Sequence, residues 1–317
     1  MPHTAAAPAS QFQVADRYGT IAVTGSTGMI GSALVARLRR DGVRVRRVVR
    51  SRQDLGPDDI LWDVREQTID ARGLADVDAV VHLAGEDIAQ RWTSEARARI
   101  RNSRVAGTRL LADALASEAA PPEVLISASA IGIYGNRGDE VLDEGSTPGS
   151  DFLAEVAQAW EDATGPAKGV GIRVVHPRFG VVLSPRGGAL KKMLPPFKLG
   201  VGGKLGSGRQ WMSWVSLEDA VRALLFALAD PDLAGPVNVT SPNPVTNAEL
   251  TDALGDVLHR PTFATVPKAA LHLAMGEMVE STILASQRVL PERLLEAGFD
   301  FEHPEIEGAL RSELERG

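Results

Sequence analysis

The chain of 317 residues contains no cysteine. This absence excludes disulfide bonds, thiol nucleophiles and zinc sites with cysteine ligands, and it fits a reducing compartment. The six histidines are scattered along the chain, so we expect no metal site. Candidate catalytic groups are therefore sought among hydroxyl and carboxylate side chains.

Long apolar runs and an excess of positive charge are also absent. No stretch approaches the ~20 apolar residues that span a bilayer. Residues 1–18 lack the apolar core and basic flank of a signal peptide, and we interpret them as a disordered tail. The 34 Lys+Arg against 41 Asp+Glu give a net charge of -7, which disfavours nucleic acid and anionic membranes as partners. A cytoplasmic protein is the resulting expectation.

Short β-branched runs alternate with helical segments from Thr20 onward, which is the pattern of parallel βαβ units. Strands are predicted over residues 20–24, 43–50, 60–62, 79–84, 124–127 and 171–177. Helices are predicted over residues 32–40 and 94–117. The predicted fold class is α/β: a Rossmann-type doubly wound parallel sheet followed by a smaller, mostly helical C-terminal substrate or lid region.

The texture of the sequence changes after Pro185. Residues 187–208 are rich in Gly, Pro and Lys, and a loop of this length is usually functional. Further on, Ser216 with Asp219 and Thr246 with Glu249 resemble capping boxes at the starts of helices. The predicted divisions are a tail at 1–18, a Rossmann domain at 19–185 and a C-terminal region at 186–317, with a substrate loop at 187–214 and a helical domain at about 245–317.

A glycine-rich string follows the first predicted strand and opens a helix. It reads Gly25-Ser26-Thr27-Gly28-Met29-Ile30-Gly31. Glycine allows a sharp turn and close approach to a pyrophosphate, and a helix N-terminus offers N–H groups and a positive dipole end. The context of strand, glycines and helix predicts a dinucleotide site. The alternative is a tight turn that packs a helix on a sheet without a ligand.

The end of the second predicted strand indicates which dinucleotide is bound. An acid there holds the 2'-hydroxyl of NAD, whereas the 2'-phosphate of NADP needs arginine. This strand ends with Arg50, Ser51 and Arg52, two guanidinium groups and a hydroxyl that suit a phosphate dianion. We therefore predict NADP(H) as the cofactor. The alternative is a solvated basic strand end, because the same strand carries Arg44, Arg46 and Arg47.

Five further blocks of sequence carry a family resemblance. They lie at residues 82–86, 91–93, 103–108, 127–135 and 206–214. Together they resemble the extended short-chain dehydrogenases/reductases, the NAD-dependent epimerase/dehydratase superfamily. The chain is most similar to the atypical YfcH-type branch of epimerase family proteins, which carries a C-terminal domain of unknown function. The resemblance extends from about Thr20 to Leu310.

The resemblance implies further cofactor contacts along the carboxyl ends of the strands. Residues implied near the adenine and the adjacent ribose turn are Asp63, Val64, Leu83, Ala84, Gly85 and Glu86. Residues implied near the nicotinamide and its ribose are Ser127, Ala128, Pro177, Arg178, Gly180 and Val181.

The catalytic pair of the superfamily is missing. In that superfamily a tyrosine acts as general acid/base, and a lysine four residues later lowers its pKa and holds the ribose. The corresponding residues 151–157 contain neither residue type. The two tyrosines, Tyr18 and Tyr134, are followed four places on by Ala22 and Gly138. Standard hydride chemistry by this pair is therefore not expected.

Three other residues are candidates for proton transfer. Ser129 matches the superfamily's active-site hydroxyl, although no histidine stands in an evident position to activate it as a nucleophile. Tyr134 follows the fifth strand and could reach a substrate, or it is a packed ring with a satisfied hydroxyl. Glu86 is a candidate base, or it forms a ribose or structural hydrogen bond.

The stretch after Lys191 is locally basic. Residues 191–209 contain four lysines and one arginine but no acid, and two tryptophans follow directly. Cations beside aromatic faces suit an anionic nucleotide, sugar phosphate or aromatic acid. The candidate substrate-binding residues are Lys192, Lys204, Arg209, Trp211 and Trp214. The alternative is a solvated basic loop whose tryptophans pack at the domain junction.

The sequence thus predicts an NADP(H)-binding atypical short-chain dehydrogenase-like protein. It would be an oxidoreductase or epimerase-like enzyme acting on a small anionic substrate, with the label epimerase resting on analogy of fold. The alternative is a non-catalytic NADP(H)-responsive binding or regulatory protein, and similar proteins suggest a link to cell division. A monomer and a homodimer are both compatible with the sequence.

Overall fold

The computed structural model describes residues 12–315, except the side chain of Asp54. Its strands are β1 (Thr20–Thr24), β2 (Arg44–Val49), β3 (Ile60–Asp63), β4 (Thr68–Ile69), β5 (Ala79–His82), β6 (Val124–Ser127), β7 (Ser129–Ala130), β8 (Val141–Leu142), β9 (Arg173–Phe179), β10 (Val181–Leu183), β11 (Gly203–Leu205), β12 (Trp211–Met212), β13 (Trp214–Ser216), β14 (Gly235–Val239), β15 (Val245–Thr246), β16 (Ala264–Val266) and β17 (Arg288–Val289).

The helices alternate with these strands and dominate the C-terminal region. They are α1 (Val14–Arg17), α2 (Met29–Arg40), α3 (Ser94–Ala116), α4 (Phe152–Asp162), α5 (Gly165–Gly169), α6 (Gly188–Lys198), α7 (Leu217–Ala229), α8 (Asn247–Leu258), α9 (Lys268–Met275), α10 (Met278–Ser281), α11 (Glu292–Glu296) and α12 (Ile306–Glu315). None of these described helices is long and apolar enough to cross a membrane.

The central sheet has the strand order β14-β9-β6-β5-β1-β2-β3-β4. All neighbours from β14 to β3 pair in parallel, and β4 is antiparallel to β3. The six strands β3-β2-β1-β5-β6-β9 reproduce the 3-2-1-4-5-6 order of a doubly wound Rossmann sheet. The predicted α/β class and the doubly wound sheet are confirmed.

The six predicted strands all form, but the sheet has a further parallel strand that the sequence pattern did not indicate. This strand, β14, reads Gly-Pro-Val-Asn-Val, so proline and asparagine interrupt its apolar run. It lies at the end of the strand order, where Pro236 is tolerated because an edge strand has N–H positions that need no ladder partner.

Helices cover both faces of the sheet, because side chains alternate along the buried strand β1. Ile21 and Val23 face one layer, which contains Leu34 of α2 and Leu224 of α7. Ala22 faces the opposite layer, formed largely by α3 and α5. The two helices that follow β1 and β5, namely α2 and α3, therefore lie on opposite faces of the sheet.

Residues 12–18 pack against the domain, so the prediction of a disordered tail is wrong for this part; residues 1–11 lie outside the described residues. Val14 and Tyr18 are buried in the layer that contains α7. The hydroxyl of Tyr18 donates to the backbone oxygen of Leu228 at 3.1 Å. The few apolar residues of this Ala/Pro-rich segment do not by themselves indicate a packed structure. Their burial follows from contact with the core layer that contains α7.

The predicted long loop after residue 187 contains regular structure, namely α6 and β11. Helix α6 buries Leu190, Leu194 and Phe197, whose spacing places them on one face. The prediction of an irregular loop failed because Pro195 and Pro196 stand inside the helix, where proline removes hydrogen-bond donors. Burial of the apolar face against α8 and α12 outweighs that cost.

The two predicted helix starts differ in detail. Thr246 forms a complete capping box, because its side chain accepts from Glu249 N and the Glu249 carboxylate accepts from Thr246 N. Ser216 caps α7 in the same way, but the carboxylate of Asp219 turns to tertiary partners. It accepts from the backbone N–H groups of Glu302 and His303 at 2.8 and 2.9 Å. Asp219 therefore joins α7 to the C-terminal segment.

The burial of Tyr18 generates a stability prediction. Tyr18→Ala should lower the free energy of unfolding by about 3 to 4 kcal/mol, because it removes a packed ring and leaves a cavity. Asp16→Ala, an exposed position on α1 two residues before Tyr18, is the matched control and should change stability by less than about 0.5 kcal/mol. Equal denaturant midpoints for wild type and Tyr18→Ala would show that this segment does not pack.

Candidate functional site

The glycine string forms the turn between β1 and α2. Gly25 has φ of +63°, and a Cβ there would lie 2.8 Å from the carbonyl carbon of Leu83. A Cβ at Gly31 would overlap the carbonyl oxygen of Gly25. Both positions thus require glycine because the backbone approaches closely. Gly25 meets the segment after β5, and Gly31 meets the turn itself.

The N-terminus of α2 has no protein cap among the described residues. Gly28 is the N-cap residue, no described side chain accepts from the first turn, and that turn carries no acid. In contrast, Thr93 caps α3 and Asp151 caps α4 through their side-chain oxygens. The first N–H groups of a helix lack intrahelical acceptors, so this terminus is suited to an anionic oxygen.

The turn after β5, residues 83–86, approaches the glycine string and is held at both ends. Thr24 Oγ1 accepts from the backbone N–H groups of Leu83 and Ala84 at 3.0 and 3.1 Å. At the other end, the backbone N–H of Glu86 donates to Ser103 Oγ at 3.0 Å, and Arg104 Nη1 donates to the backbone carbonyl oxygen of Glu86 at 3.0 Å. The predicted ribose turn is therefore a rigid wall of the crevice.

A buried histidine lies beneath this turn. The ring of His82 contacts Thr24 Oγ1 at 2.8 Å and Thr108 Oγ1 at 2.9 Å. Burial lowers the pKa of His82 to about 4, so the imidazole is neutral at pH 7. Burial also lowers the pKa of Arg104 to about 10, although the nearby carboxylates of Glu86 and Asp87 oppose this.

Arg50, Ser51 and Arg52 follow β2 at the same edge of the sheet. Among the described side chains, neither Arg50 nor Arg52 has an ion-pair or hydrogen-bond partner, while Ser51 Oγ accepts from the Gln53 N–H at 3.1 Å.

The other arginines of this strand are engaged. Arg44 pairs with Asp58, Arg47 pairs with Asp59, and Arg46 donates to the carbonyl oxygen of Gly73 at 2.7 Å. Pairing thus separates the two arginines of the candidate site from the rest of the basic strand.

The residues implied near the adenine lie on the next strand end. Asp63 ends β3, and its Oδ1 accepts from the backbone N–H groups of Arg65 and Glu66 at 2.8 and 3.1 Å. Val64 is half-buried beside Gly107 of α3. One carboxylate oxygen of Asp63 is therefore occupied by its own turn, and an adenine contact would use the other oxygen or the backbone.

The residues implied near the nicotinamide include two that face inward. Ser127 and Ala128 are buried at the end of β6, and Ser127 pairs in register with His82. Pro177 is buried within β9, and Gly180 connects β9 to β10, which begins at Val181. A Cβ at Gly180 would lie 2.5 Å from the carbonyl oxygen of Ser213, so this glycine is required by packing.

Arg178, which was predicted to contact the cofactor, is tied to a carboxylate instead. Its Nε and Nη2 donate to both oxygens of Glu161 on α4, at 2.8 and 2.9 Å. The side chain is only 7% exposed, and its remaining described bonds go to Tyr134 and the Glu144 backbone. The guanidinium is therefore engaged within the protein, and a cofactor contact from Arg178 stays a prediction that would have to use its backbone.

Glu161 also holds the candidate hydroxyl Ser129, which donates to Glu161 Oε1 at 2.7 Å. Burial alone would raise the pKa of Glu161, but the hydrogen bonds and charge of Arg178, with the Ser129 bond, lower it below its usual value. The carboxylate is ionised at pH 7. Sequence reasoning missed Glu161 because it lies 32 residues from Ser129 in sequence, and no local pattern marks it.

Tyr134 is fully buried. Its hydroxyl donates to Asn238 Oδ1 at 2.7 Å and accepts from Arg178 Nη1 at 2.9 Å. Burial raises the pKa of Tyr134, although the Arg178 charge opposes this. The structure contradicts an acid/base role for Tyr134 and supports the alternative, a packed tyrosine with a satisfied hydroxyl.

Apolar side chains occupy the place where the superfamily has its catalytic pair. Phe152 and Leu153, at the start of α4, pack with Trp92 and with Met278 of α10. The rings of Trp92 and Phe152 meet edge to face at 5.2 Å between centroids. No titratable group of this cluster replaces the missing tyrosine and lysine.

Glu86 has a half-exposed carboxylate at the mouth of the crevice. Its Oε1 lies 3.5 Å from Arg99 Nε and 3.5 Å from Gln90 Nε2. These contacts are long, and the carboxylate remains available to a ligand.

The predicted substrate residues divide into two groups. Lys192, Lys204 and Arg209 are exposed, and Lys192 Nζ lies 3.5 Å from the Ala89 oxygen across the crevice. Trp211 is half-buried under Arg288, with 4.3 Å between the guanidinium carbon and the ring centroid.

Trp214 was wrongly predicted to bind substrate. It is 0% exposed and packs in the core of α6, α8 and α12. The alternative of a tryptophan packed at the domain junction applies to this residue.

The chain is similar to known proteins over most of its length. The NAD dependent epimerase/dehydratase family matches residues 21–240, and a domain of unknown function, DUF1731, matches residues 266–313. An epimerase family protein of Mycobacterium bovis is 48% identical over 291 residues, covering 92% of this chain and 96% of its own length. The chloroplastic SDR39U1 homolog of Arabidopsis thaliana is 40% identical over 303 residues, covering 92% of this chain and 86% of its own length.

A solved structure shows the same fold. The crystal structure of human epimerase family protein SDR39U1 (isoform 2) with NADPH has a TM-score of 0.85 and 33% sequence identity to this chain. The match covers 94% of this chain and 100% of the human one. The resemblance to epimerase family proteins with a C-terminal domain of unknown function is confirmed, and the chain belongs to the NAD dependent epimerase/dehydratase family.

Proposed function

We propose that this protein binds NADP(H) in the crevice between α2, the 83–86 turn and the end of β2. The observation that carries the proposal is the pairing pattern at this edge. Among the described side chains, none caps the N-terminus of α2, and Arg50 and Arg52 have no partner. One ligand with a pyrophosphate and a 2'-phosphate would satisfy both features.

The choice of NADP(H) over NAD(H) follows from the arginines. A solvated basic strand end would leave all its arginines alike, but Arg44, Arg46 and Arg47 are held by Asp58, Asp59 and backbone oxygens. Only the two at the carboxyl end are available to a phosphate within the described part of the strand. The human relative, whose structure contains NADPH, supports the same choice.

We propose an oxidoreductase or epimerase-like activity on a small anionic substrate. The cofactor would supply or accept a hydride, and the residues of this chain would bind, orient and move a proton. The Ser129 hydroxyl donates to the Glu161 carboxylate at 2.7 Å, so its proton is directed to Glu161. Because Ser129 is only 3% exposed, a substrate group would reach its lone pairs only after a local rearrangement. Glu86 is a second carboxylate within the crevice. Lys192, Lys204 and Arg209 would attract the anion.

A second candidate function is a non-catalytic NADP(H)-responsive binding protein. The apolar cluster of Phe152, Leu153, Trp92 and Met278 at the position of the catalytic pair favours it. In this case cofactor occupancy would alter a surface for a protein partner. Turnover of bound NADPH by any carbonyl substrate would exclude this second function.

We propose a cytoplasmic location, with a monomer and a homodimer both open. The Arabidopsis relative is chloroplastic, so members of this family also occur in an organelle.

Removal of the Arg50 guanidinium should change cofactor preference. Arg50→Ala should weaken NADPH binding roughly tenfold to hundredfold, the loss of about 1.5–3 kcal/mol for a hydrogen bond to a charged group. NADH binding should stay within about twofold, because NADH has no 2'-phosphate. The measurement is titration of nicotinamide fluorescence with the two nucleotides.

The matched control for this titration is Arg44→Ala. Arg44 is the first residue of β2, at the opposite end of the strand from Arg50, and it pairs with Asp58. It should leave both affinities unchanged. Equal loss of NADPH affinity in both variants would show a general charge effect rather than a phosphate site.

A substitution at Gly31 is a second test of the same site. The methyl group in Gly31→Ala would overlap the Gly25 oxygen, so the string must move and NADPH affinity should fall more than about tenfold. Gly308→Ala, another helical glycine with nothing within 4 Å of its Cβ position, should bind NADPH like wild type. Circular dichroism melts of both variants separate loss of the site from loss of the fold. Wild-type affinity in a folded Gly31→Ala would refute the assignment.

A further inference from the structure

Residues 103–108 lie on α3 behind the 83–86 turn. Their side chains reach the turn by two routes. Ser103 and Arg104 hold the backbone of Glu86 directly, at 3.0 Å each. Thr108 reaches the other end of the turn through His82 and Thr24. The second route sets the direction of its hydrogen bonds.

The Thr24 hydroxyl contacts three nitrogen atoms. It accepts from the N–H groups of Leu83 and Ala84, at 3.0 and 3.1 Å, and these bonds occupy both of its lone pairs. The third contact, 2.8 Å to His82 Nδ1, must therefore use the hydroxyl proton of Thr24. His82 Nδ1 accepts this bond and carries no proton.

The proton of the neutral imidazole is consequently on Nε2. His82 Nε2 lies 2.9 Å from Thr108 Oγ1, which also lies 2.9 Å from Trp160 Nε1. An indole nitrogen only donates, so Thr108 Oγ1 accepts from both rings. The bonds from the turn thus run through Thr24 and His82 to Thr108 Oγ1, where they meet the bond that Trp160 donates from the other side.

Trp160 connects the two routes. The guanidinium carbon of Arg104 lies 5.0 Å from the centroid of the Trp160 ring, while the same ring donates to Thr108. The first and last residues of the turn are therefore both supported by one side chain of α4. His82 and Thr108 are 0% exposed, so water cannot replace these partners.

We propose that His82 is a positioning residue of the cofactor site, which orients the Thr24 hydroxyl so that its oxygen holds Leu83 and Ala84. The proposal rests on the proposed function, because the 83–86 turn is taken as the wall against the NADP(H) ribose. An imidazole with a proton on Nδ1 would direct a third donor at Thr24 Oγ1, and one bond to the turn would be lost.

The tautomer of His82 is the first measurement. The full-length protein is labelled with 15N-histidine and its ring nitrogens are observed by NMR at pH 7, with a variant lacking His82 for assignment. We expect a protonated Nε2 and an unprotonated Nδ1. A protonated Nδ1 overturns the proposal, whatever the protein binds.

Variants of Thr24 test the effect on the turn. Thr24→Val removes the hydroxyl and should weaken NADPH binding about tenfold, while amide hydrogen exchange at Leu83 and Ala84 becomes faster. Thr24→Ser keeps the hydroxyl and should restore both properties. Thr164→Val is the control: it removes another buried hydroxyl, which donates to the backbone carbonyl oxygen of Glu161 at 2.7 Å, and it should change neither property.

The outcomes separate this proposal from the proposed function. If wild type binds NADPH and Thr24→Val binds it equally well, the proposal is overturned while the cofactor assignment stands. If wild type binds no NADPH, the proposed function fails, and exchange at Leu83 and Ala84 decides alone. Faster exchange only in Thr24→Val then supports positioning of the turn, and unchanged exchange overturns it.

Discussion

The crevice of this protein depends on a contact between the two backbone segments that leave β1 and β5. A side chain at Gly25 would meet the backbone of Leu83 at 2.8 Å, so the glycine string and the 83–86 turn touch without intervening atoms. The helices that follow these segments, α2 and α3, pack on opposite faces of the sheet. The chain therefore diverges beyond the contact, and the crevice opens there. The free helix N-terminus, the ribose turn and the arginines after β2 all border that opening.

The chemistry beside this crevice differs from that of a tyrosine–lysine pair. A buried ion pair is stabilising only when its charges are well hydrogen bonded. Glu161 meets this condition with Arg178 and Ser129, and Arg178 is completed by Tyr134. The result is a buried polar network that includes the hydroxyls of Ser129 and Tyr134. It can orient a ligand more readily than it can supply a proton, because the charge of Arg178 keeps the carboxylate ionised.

The C-terminal region completes the wall of the crevice. Met278 of α10 packs on Trp92, and Lys192 of α6 reaches the Ala89 oxygen at 3.5 Å. A Cβ at Gly187 would lie 3.1 Å from the sulfur of Met29, directly after the glycine string. The two regions therefore meet beside the glycine string, next to the site proposed for the cofactor.

Three features were predictable: the order of the first six parallel strands, the glycine string and the two arginines that follow β2. Each is a local pattern whose physical cause lies within a few residues. The full capping box at Thr246 belongs to the same class. Proline-containing elements were missed: β14 forms at an edge that tolerates Pro236, and α6 forms because its apolar face is buried.

Accessibility was decided only by the tertiary structure. Tyr134 and Trp214 are candidate functional aromatics in sequence, but both are buried in apolar clusters, and their polar atoms bond to Asn238 and Asn243, far along the chain. Arg178 and Arg50 look equally available, yet only one finds a carboxylate. Burial and ion pairing are properties of contacts between remote segments, so local patterns name the residue types of a site while the folded chain selects which of them can meet a ligand.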